Sequence, residues 1–520
     1  MSLGFYIYTL QPSLSWGDGT RLQREVITGE SFILAELVEK DFADDPYPFA
    51  KLGIAAWDHP LYIVIGHILI RVLTPLGLDP LFLVNLLSAF FGAGTIALVF
   101  YLAVLLTNSL VAAGAGAFYL MVSHTFWWHS ATPEVYTLHA FLLLLCIVLF
   151  MKAWDSGNAR YYYGSAFVLG LGASNHLLMA LIVPAFIFFL YRNRRLLVDE
   201  FLSTRKLILI SLSFLAGFGL FIIQLLRMLR TFSPSELIGP LLGSTFIDNL
   251  PSITLVKNLG TYVLLLLVQF PVAGLWIGLV GIGIQWREKR LFFSLLMPLF
   301  LVYTSFGVLY QVSDQFAFHL TSYVLFAIFI SIGAAHLLSG RFAKITIAAS
   351  LVFILLNPQV YHYLPSILRN FDISETYFGI PVIGSGVRDG LSFYINPNKH
   401  GKRDAYRFGS QTLIALPENA MVLAQWYTDT DEYFVFQYFS KVEGLRPDID
   451  IVGFPLEDNF AFDSKLTLDL ISEQIHQRPV YLSSLSTKYY AADQIMSAYC
   501  VYPENNLYRV QIRRSEQACL

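Results

Sequence analysis

The chain is short of charge. Asp, Glu, Lys and Arg make up only 14% of its 520 residues, where soluble domains carry roughly 25%. A water-exposed surface of this size cannot be covered with so few, so much of the molecule has to meet hydrocarbon. Basic excess is absent too: the net charge is −3, which excludes a nucleic-acid groove. Cysteine is scarce. Cys146, Cys500 and Cys519 are too few and too scattered for a disulfide framework or a zinc site; Cys500 and Cys519 alone could pair, and no disulfide is expected between them. No internal repeat and no low-complexity tract is visible. The apolar start, Met1 to Leu10, lacks the basic flank and small-residue cleavage site of a signal peptide. At half the length of a span, it reads as the end of an incomplete first transmembrane helix.

What the chain has in quantity is apolar sequence: 56% hydrophobic residues and a mean hydropathy of +0.58. Apolar runs fall at 61–78, 81–106, 110–122, 135–151, 161–191, 207–226, 262–285, 291–311, 318–338 and 343–357. They predict a polytopic α-helical membrane protein of about 10–11 helices. Three basic clusters orient it by the positive-inside rule: Arg192, Arg194, Arg195, Arg205 and Lys206; Arg287, Lys289 and Arg290; Arg341 and Lys344. With these on the cytoplasmic side, Asp18, Asp58, the 227–261 loop, Asp314 and everything after Asn357 lie outside. The 161–191 run then has to enter and return, with Ser174-Asn175-His176 at its tip. Three runs separate the outer residues Asp58 and Glu134, where an even number of crossings is required. Either 61–78 lies partly in the interface or 110–122 is not a full span.

After Pro358 ordinary charge density returns. Short apolar strands at 421–424, 450–453 and 479–482 alternate with helix-like stretches near 430–441 and 465–476, predicting a soluble α/β domain. The division expected is therefore a membrane domain over 1–357 and an extracytoplasmic α/β domain over 358–520.

Several polar residues stand out against this background. Asp18 lies between two glycines after Trp16, a setting that serves a β-turn or projects a carboxylate as a base. Asp58 and Pro60 suit a helix start, but that does not account for His59, nor for His67 further along. A histidine at a helix start is placed to touch phosphate. Between His124 and Tyr136 the chain is dense in aromatic and polar groups. Trp127 and Trp128 read there as interfacial anchors, while Glu134, with Tyr136 and His139 nearby, faces the same compartment as Asp18. Asn175 and His176 are polar groups within an apolar run, either functional or bonded between helices. Asp314 is a loop cap or a further outer carboxylate. Arg227 and Arg230 run against the sign rule and are placed to bind phosphate.

The order of these segments resembles the GT-C superfamily of membrane glycosyltransferases, in the branch similar to protein O-mannosyltransferases. The segments are Gly17-Asp18-Gly19, Asp58-His59-Pro60-Leu61-Tyr62, Asn85-Leu86-Leu87-Ser88-Ala89, Thr125-Phe126-Trp127, Glu134-Val135-Tyr136-Thr137-Leu138-His139-Ala140 and Asn175-His176-Leu177. The resemblance covers residues 10–195 and, loosely, the Asp314 segment. It implies transfer of a sugar from a polyprenyl-phosphate-linked donor to an acceptor hydroxyl at the outer membrane face. Asp18 would activate the acceptor with Asp58 and Glu134 beside it, and His59, Asn175, His176, Arg227 and Arg230 would hold the donor phosphate. It leaves open a divalent metal, the sugar, and whether the acceptor is a protein, lipid or glycan. One departure is clear: where relatives follow the glycine with a glutamate, this chain reads Thr20-Arg21.

Two other classes fit a membrane bundle with polar groups inside. A transporter or flippase of a lipid-linked substrate would show repeat symmetry, which is not visible here. An inactive scaffold with a binding domain has no need of Asp18, Asp58 and Glu134 on one face.

Overall fold

The computed structural model describes residues 1–31, 59–194, 203–230, 255–271, 273–288, 291–310, 315–378, 386–424, 432–453, 464–485 and 492–513, with the isolated positions 233, 234, 237, 380, 382–384 and 519. Asp58 and Asp314 lie outside the described residues. The chain opens with α1 (Ser2–Thr9), α2 (Asp18–Thr28), α3 (Pro60–Leu73), α4 (Pro80–Thr107), α5 (Leu110–Met121), α6 (His124–Ala131) and α7 (Tyr136–Ser156). Then come α8 (Ala159–Asn175), α9 (Ile182–Arg192), α10 (Thr204–Met228), α11 (Leu255–Gln269), α12 (Ala273–Glu288), α13 (Phe293–Leu309), α14 (Gln315–Phe318), α15 (Leu320–Leu338) and α16 (Ala343–Asn370). Among the described residues α4, α7, α10, α15 and α16 are long and apolar enough to cross a membrane.

The axis of this bundle is α15, in which every residue from Leu320 to Ala334 is buried. A helix apolar on all sides belongs in an interior. It crosses α12 where Gly281 faces Phe329 and Gly333 faces Ile277. A Cβ added at either glycine would lie 2.0 Å from the Phe329 carbonyl oxygen or 1.9 Å from that of Ile277, so only glycine allows the two backbones to approach.

The first of the two accounts of the odd crossing number fits α3. At its start, His59 Nδ1 donates to the Asn175 carbonyl (2.7 Å). At its end the chain passes through Asp79, whose carboxylate caps α4 by accepting from the Leu81 N–H at 2.7 Å, and Leu81 packs with Trp16. Both ends of α3 therefore lie on one face of the bundle. Its 14 residues span about 21 Å, short of the ~30 Å hydrocarbon core. Val64, Ile68 and Val72, four residues apart, form its exposed apolar side, as in an interfacial helix.

The return at Ser174-Asn175-His176 is present. The α8 side of α7 runs from Tyr162 beside Phe150 to Asn175, whose Nδ2 donates to the Val135 carbonyl; α9 then comes back, with Phe189 against Phe150 and Trp154. Two expectations change. The single run 262–285 is two helices, α11 and α12, broken at Pro271, a residue that cannot continue the hydrogen-bond ladder. The expected boundary after Asn357 falls inside α16, which continues through Pro358 and Pro365 to Asn370. Packing overrides the prolines there: Asn357 Nδ2 donates to the Val122 carbonyl (3.1 Å) and the Tyr361 hydroxyl to that of Val268 (2.7 Å).

The C-terminal region holds α17 (Gly390–Ile395), α18 (Asp404–Ala415), β1 (Met421–Ala424), α19 (Glu432–Lys441), β2 (Asp450–Gly453), α20 (Ser464–Gln474), β3 (Val480–Leu482), α21 (Ala492–Ala498), β4 (Cys500–Glu504) and β5 (Leu507–Gln511). The sheet order is β2-β1-β3-β5-β4. β1 pairs in parallel with β2 (Val422 opposite Ile451) and β3 (Val422 opposite Tyr481), whereas β5 runs antiparallel to β3 and β4. The β4–β5 hairpin turns on Asn505 and Asn506, at φ 51° and 66°, and Cys500 is bonded to Cys519.

This domain is docked on the bundle by polar contacts. Trp16 Nε1 donates to Asp404 Oδ2 (2.9 Å), Trp128 Nε1 to the Phe393 carbonyl (3.0 Å) and the Lys399 N–H to the Thr9 carbonyl (2.9 Å). Trp127 and Trp128, expected as membrane anchors, are instead buried in this joint, Trp127 donating to Thr9 Oγ1. Their indole N–H groups find protein acceptors, which draws them out of the lipid interface.

Beneath the joint lies α2, a polar helix with every residue from Gly19 to Val26 buried. Gln23 and Asn85 make that possible. Gln23 Nε2 donates to Asn85 Oδ1 (2.9 Å), its Oε1 accepts from the Ser15 N–H (2.9 Å), and Asn85 Nδ2 donates to the Gln11 (2.7 Å) and Ser13 (3.0 Å) carbonyls. Asn85→Leu takes the Asn85 partner from the buried Gln11 carbonyl, at about 1–3 kcal/mol, and leaves the Ser13 carbonyl and the Gln23 amide with only their mutual 3.2 Å bond. The variant is expected to melt well below wild type in detergent, as followed by a thermal-shift assay. An unchanged melting temperature would show that this network does not hold the loop.

Candidate active site

The loop from Ser13 to Gly19 sets the first part of the site. Gly17 caps α2 at φ 64°, ψ −144°, a conformation open to glycine and strained for other residues. Gly19 lies so close to its neighbours that a Cβ there would be 2.9 Å from Ser15 Cβ and 3.0 Å from Pro133 Cγ. The two glycines thus hold Asp18 at the first position of α2, next to the Pro133-Glu134 turn. The Asp18 side chain is 55% exposed and meets Arg21, itself 8% exposed, at 3.3 Å.

The second part hangs from the next face of α4. Ser88 lies three residues beyond Asn85, on the same side of the helix. Its hydroxyl accepts from the Glu134 N–H (2.9 Å) and donates to the Glu134 carbonyl (3.1 Å), and the Tyr62 hydroxyl lies 3.3 Å away. Asn85 and Ser88 together fix the Asp18 loop and the half-buried Glu134 to a single rigid helix.

Three histidines complete the cluster. His59, capping α3, stacks on His176 at 5.1 Å; His176 neighbours Tyr136 (5.5 Å) and His139 (6.1 Å). His176 Nδ1 accepts from the Leu178 N–H (3.1 Å) at the α8 break. Of the two forms in which His59 is expected to meet phosphate, cationic or hydrogen-bonding, its surroundings favour the neutral, hydrogen-bonding one. Burial, and after it the Arg21 guanidinium, push its pKa down to about 3. Because Nδ1 donates to the Asn175 carbonyl, Nε2 of the neutral ring is an acceptor, which suits a hydroxyl rather than an anion.

The structure thus gathers Asp18, Glu134, His59, His139, Asn175 and His176. It does not gather Arg227 and Arg230. Both are exposed at the end of α10, with Arg227 Nη1 on Gln224 Oε1 at 3.5 Å. The tip of α8 meets α10 where Ser174 Oγ donates to the Gly217 carbonyl. Arg227 follows about 15 Å further along that helix. Sequence reasoning missed Arg21 and noted it only as a missing glutamate. Its signal was the three-residue spacing from Asp18 on one helix face. His67 is a strut, its Nδ1 donating to the Val26 carbonyl (2.9 Å) and so tying α3 to α2. Among the described residues no group of three His, Cys, Asp or Glu is placed to hold a metal ion.

Comparison with known structures assigns the fold. The chain is similar to ArnT from Cupriavidus metallidurans bound to undecaprenyl phosphate, at 11% identity and a TM-score of 0.57, covering 98% of this chain and 96% of that one. It is similar to the Archaeoglobus fulgidus oligosaccharyltransferase in complex with Zn and sulfate (13% identity, TM-score 0.51, 98% of this chain and 73% of that one). The same enzyme tethered with an acceptor peptide containing the NVT sequon gives 11% identity and a TM-score of 0.52, over 99% of this chain and 73% of that one. The protein is a polytopic helical membrane protein of the GT-C fold with a C-terminal α/β region. Within that class, residues 51–198, less than a third of the chain, are similar to the family model described as the N-terminal domain of the protein O-mannosyl-transferase TMEM260. No curated protein matches the chain in sequence.

The buried His59 makes stability depend on pH. Its folded pKa lies below the unfolded value of about 6.5, so the unfolded chain takes up the proton first as pH falls. Its contribution is present above about pH 6.5 and is lost toward pH 3. Between pH 7.5 and 5, wild type is expected to lose about 2 kcal/mol more stability than His59→Asn, which keeps a donor without titrating. Denaturation in detergent at the two pH values measures this, and parallel losses would place a charged histidine in the folded protein.

Proposed function

We propose that the protein is a glycosyltransferase that moves a sugar from a polyprenyl-phosphate-linked donor to an acceptor hydroxyl at the outer membrane face. The observation that carries the reading is the pairing of a half-exposed carboxylate, Asp18, with the buried Arg21 cation at 3.3 Å, beside the N-terminus of α3. In this reading the Asp18 carboxylate takes the proton of the acceptor hydroxyl. The acceptor oxygen bonds to the anomeric carbon as the bond from that carbon to the phosphate oxygen breaks. The departing lipid phosphate keeps the electron pair, and Arg21 and the first N–H groups of α3 stabilise its charge. Glu134 positions the acceptor or Asp18. The fold shared with an undecaprenyl-phosphate-bound relative supports a lipid-linked donor. The family description supports mannose and a protein hydroxyl among the open choices. Asp58, Asn175, His176, His139 and Asp314 remain assigned to the site; the exposed Arg227 and Arg230 are given no part in this mechanism.

The C-terminal α/β region is read as extracytoplasmic. Its Cys500–Cys519 disulfide supports this, because such bonds persist in oxidising compartments, and so do the three basic clusters on alternate loops. A reporter active only in the cytoplasm, fused to the C terminus, is expected to be silent. Strong activity would reverse the orientation and put the site on the cytoplasmic face.

The test of the chemistry uses membranes with equal amounts of each variant and radiolabelled polyprenyl-phosphate mannose. Asp18→Asn, which keeps shape and hydrogen bonding but not basicity, is expected to lower transfer by roughly 10²–10⁴-fold. Glu134→Gln should cost less. Wild-type rates in Asp18→Asn would return Asp18 to the role of a turn residue.

A further inference from the structure

His139 lies one turn into α7, fully buried, and meets the Tyr303 hydroxyl of α13 through Nε2 at 3.4 Å. That hydroxyl has one proton, and its shorter bond, 3.0 Å, goes to the Leu178 carbonyl. Tyr303 therefore donates to Leu178 and accepts from His139 Nε2–H. In this tautomer Nδ1 is a bare acceptor, and it meets no donor among the described residues. Asn175 repeats the pattern from the tip of α8. Its Nδ2 donates to the Val135 carbonyl (3.1 Å), which also takes the His139 backbone N–H (3.0 Å), while the buried Oδ1 meets no donor among the described residues. The Val135 carbonyl thus ties the backbone of His139 and the side chain of Asn175 to one point. Native interiors seldom leave such acceptors dry.

A ligand that satisfies them has to bring hydrogens. A phosphate brings acceptors only. The described rings around His139, those of Tyr303 and His176 with Tyr136 beyond, carry no negative charge to hold a cation. Hydroxyl groups fit, and the rings of Tyr136 and His176 offer apolar faces to the C–H groups of a cyclic polyol. His176 is partly exposed and gives the way in, beside Glu134. We infer that this nest, between the first turn of α7 and the tip of α8, takes the sugar ring of the lipid-linked donor, whose hydroxyls donate to His139 Nδ1 and Asn175 Oδ1. The inference rests on the donor reading above and adds to it the groups that select for a sugar rather than for bare lipid phosphate.

The test is binding, measured on purified full-length protein carrying Asp18→Asn to prevent turnover, with polyprenyl phosphate and with polyprenyl-phosphate mannose. The mannose-bearing lipid is expected to bind about tenfold more tightly. His139→Phe should erase that margin and leave bare-lipid affinity within about twofold of the parent. His139→Asn, whose side-chain oxygen reaches the place of Nδ1, should restore it. Asn175→Ser, which removes the second acceptor with less change of shape, is read in the same way should His139→Phe fail to fold. A margin that survives both His139→Phe and Asn175→Ser overturns the inference. So does a parent protein that binds the two lipids equally, as it would if water alone filled the nest. If the parent binds neither lipid, the donor reading falls and the inference with it.

Discussion

Everything at the site depends on one buried pair of amides, Gln23 and Asn85. A polar loop and a charged helix cannot enter an apolar bundle unless their backbone groups are satisfied. The pair meets that need on both sides, Gln23 from within α2 and Asn85 from α4, both fully buried. Asn85 and Ser88 then make α4 the common support for two loops that are otherwise about 115 residues apart in sequence. Because both hang from one rigid helix, the distance between Asp18 and Glu134 is set by secondary structure rather than by flexible chain.

The rest of the site follows from where charge can be kept. The buried cation Arg21 is next to a half-exposed carboxylate, and the neighbouring histidine is held neutral. A charged arginine near a neutral imidazole divides the cluster into a part suited to anions and a part suited to hydroxyls. The histidine side continues inward from His176 and Tyr136 through His139 to Tyr303, with imidazole and phenol groups throughout.

Much of this was legible in the chain, and for identifiable reasons. Long apolar runs with basic flanks have one physical solution, so α4, α7, α10 and α15 fell where expected. The Gly-Asp-Gly turn and the Asn175 tip were visible because polar residues are rare in such surroundings. Tertiary contacts hid the rest. Trp127 and Trp128 carry the composition of an anchor, and only the fold shows that their N–H groups have protein acceptors, Thr9 of α1 for Trp127 and Phe393 of the docked domain for Trp128. Pro358 marks a helix end in isolation, yet Asn357 and Tyr361 hold α16 together across it. The hairpin of β4 and β5 was missed because its turn uses Asn505-Asn506 without glycine. Arg21 was overlooked because burial of a cation cannot be read from composition.

The bond between Trp16 and Asp404 closes a separation of 388 residues. A ribosome adding ~5–20 residues per second needs roughly 20–80 s to pass from one to the other. During that interval the first loop is in the membrane with α4 beside it but without the domain that covers it. The Asp18 loop is therefore built first and covered last. A chain cut short anywhere before Asp404 retains Asp18 and lacks the acceptor of the Trp16 N–H, so the joint over the first loop waits for synthesis of the C-terminal region.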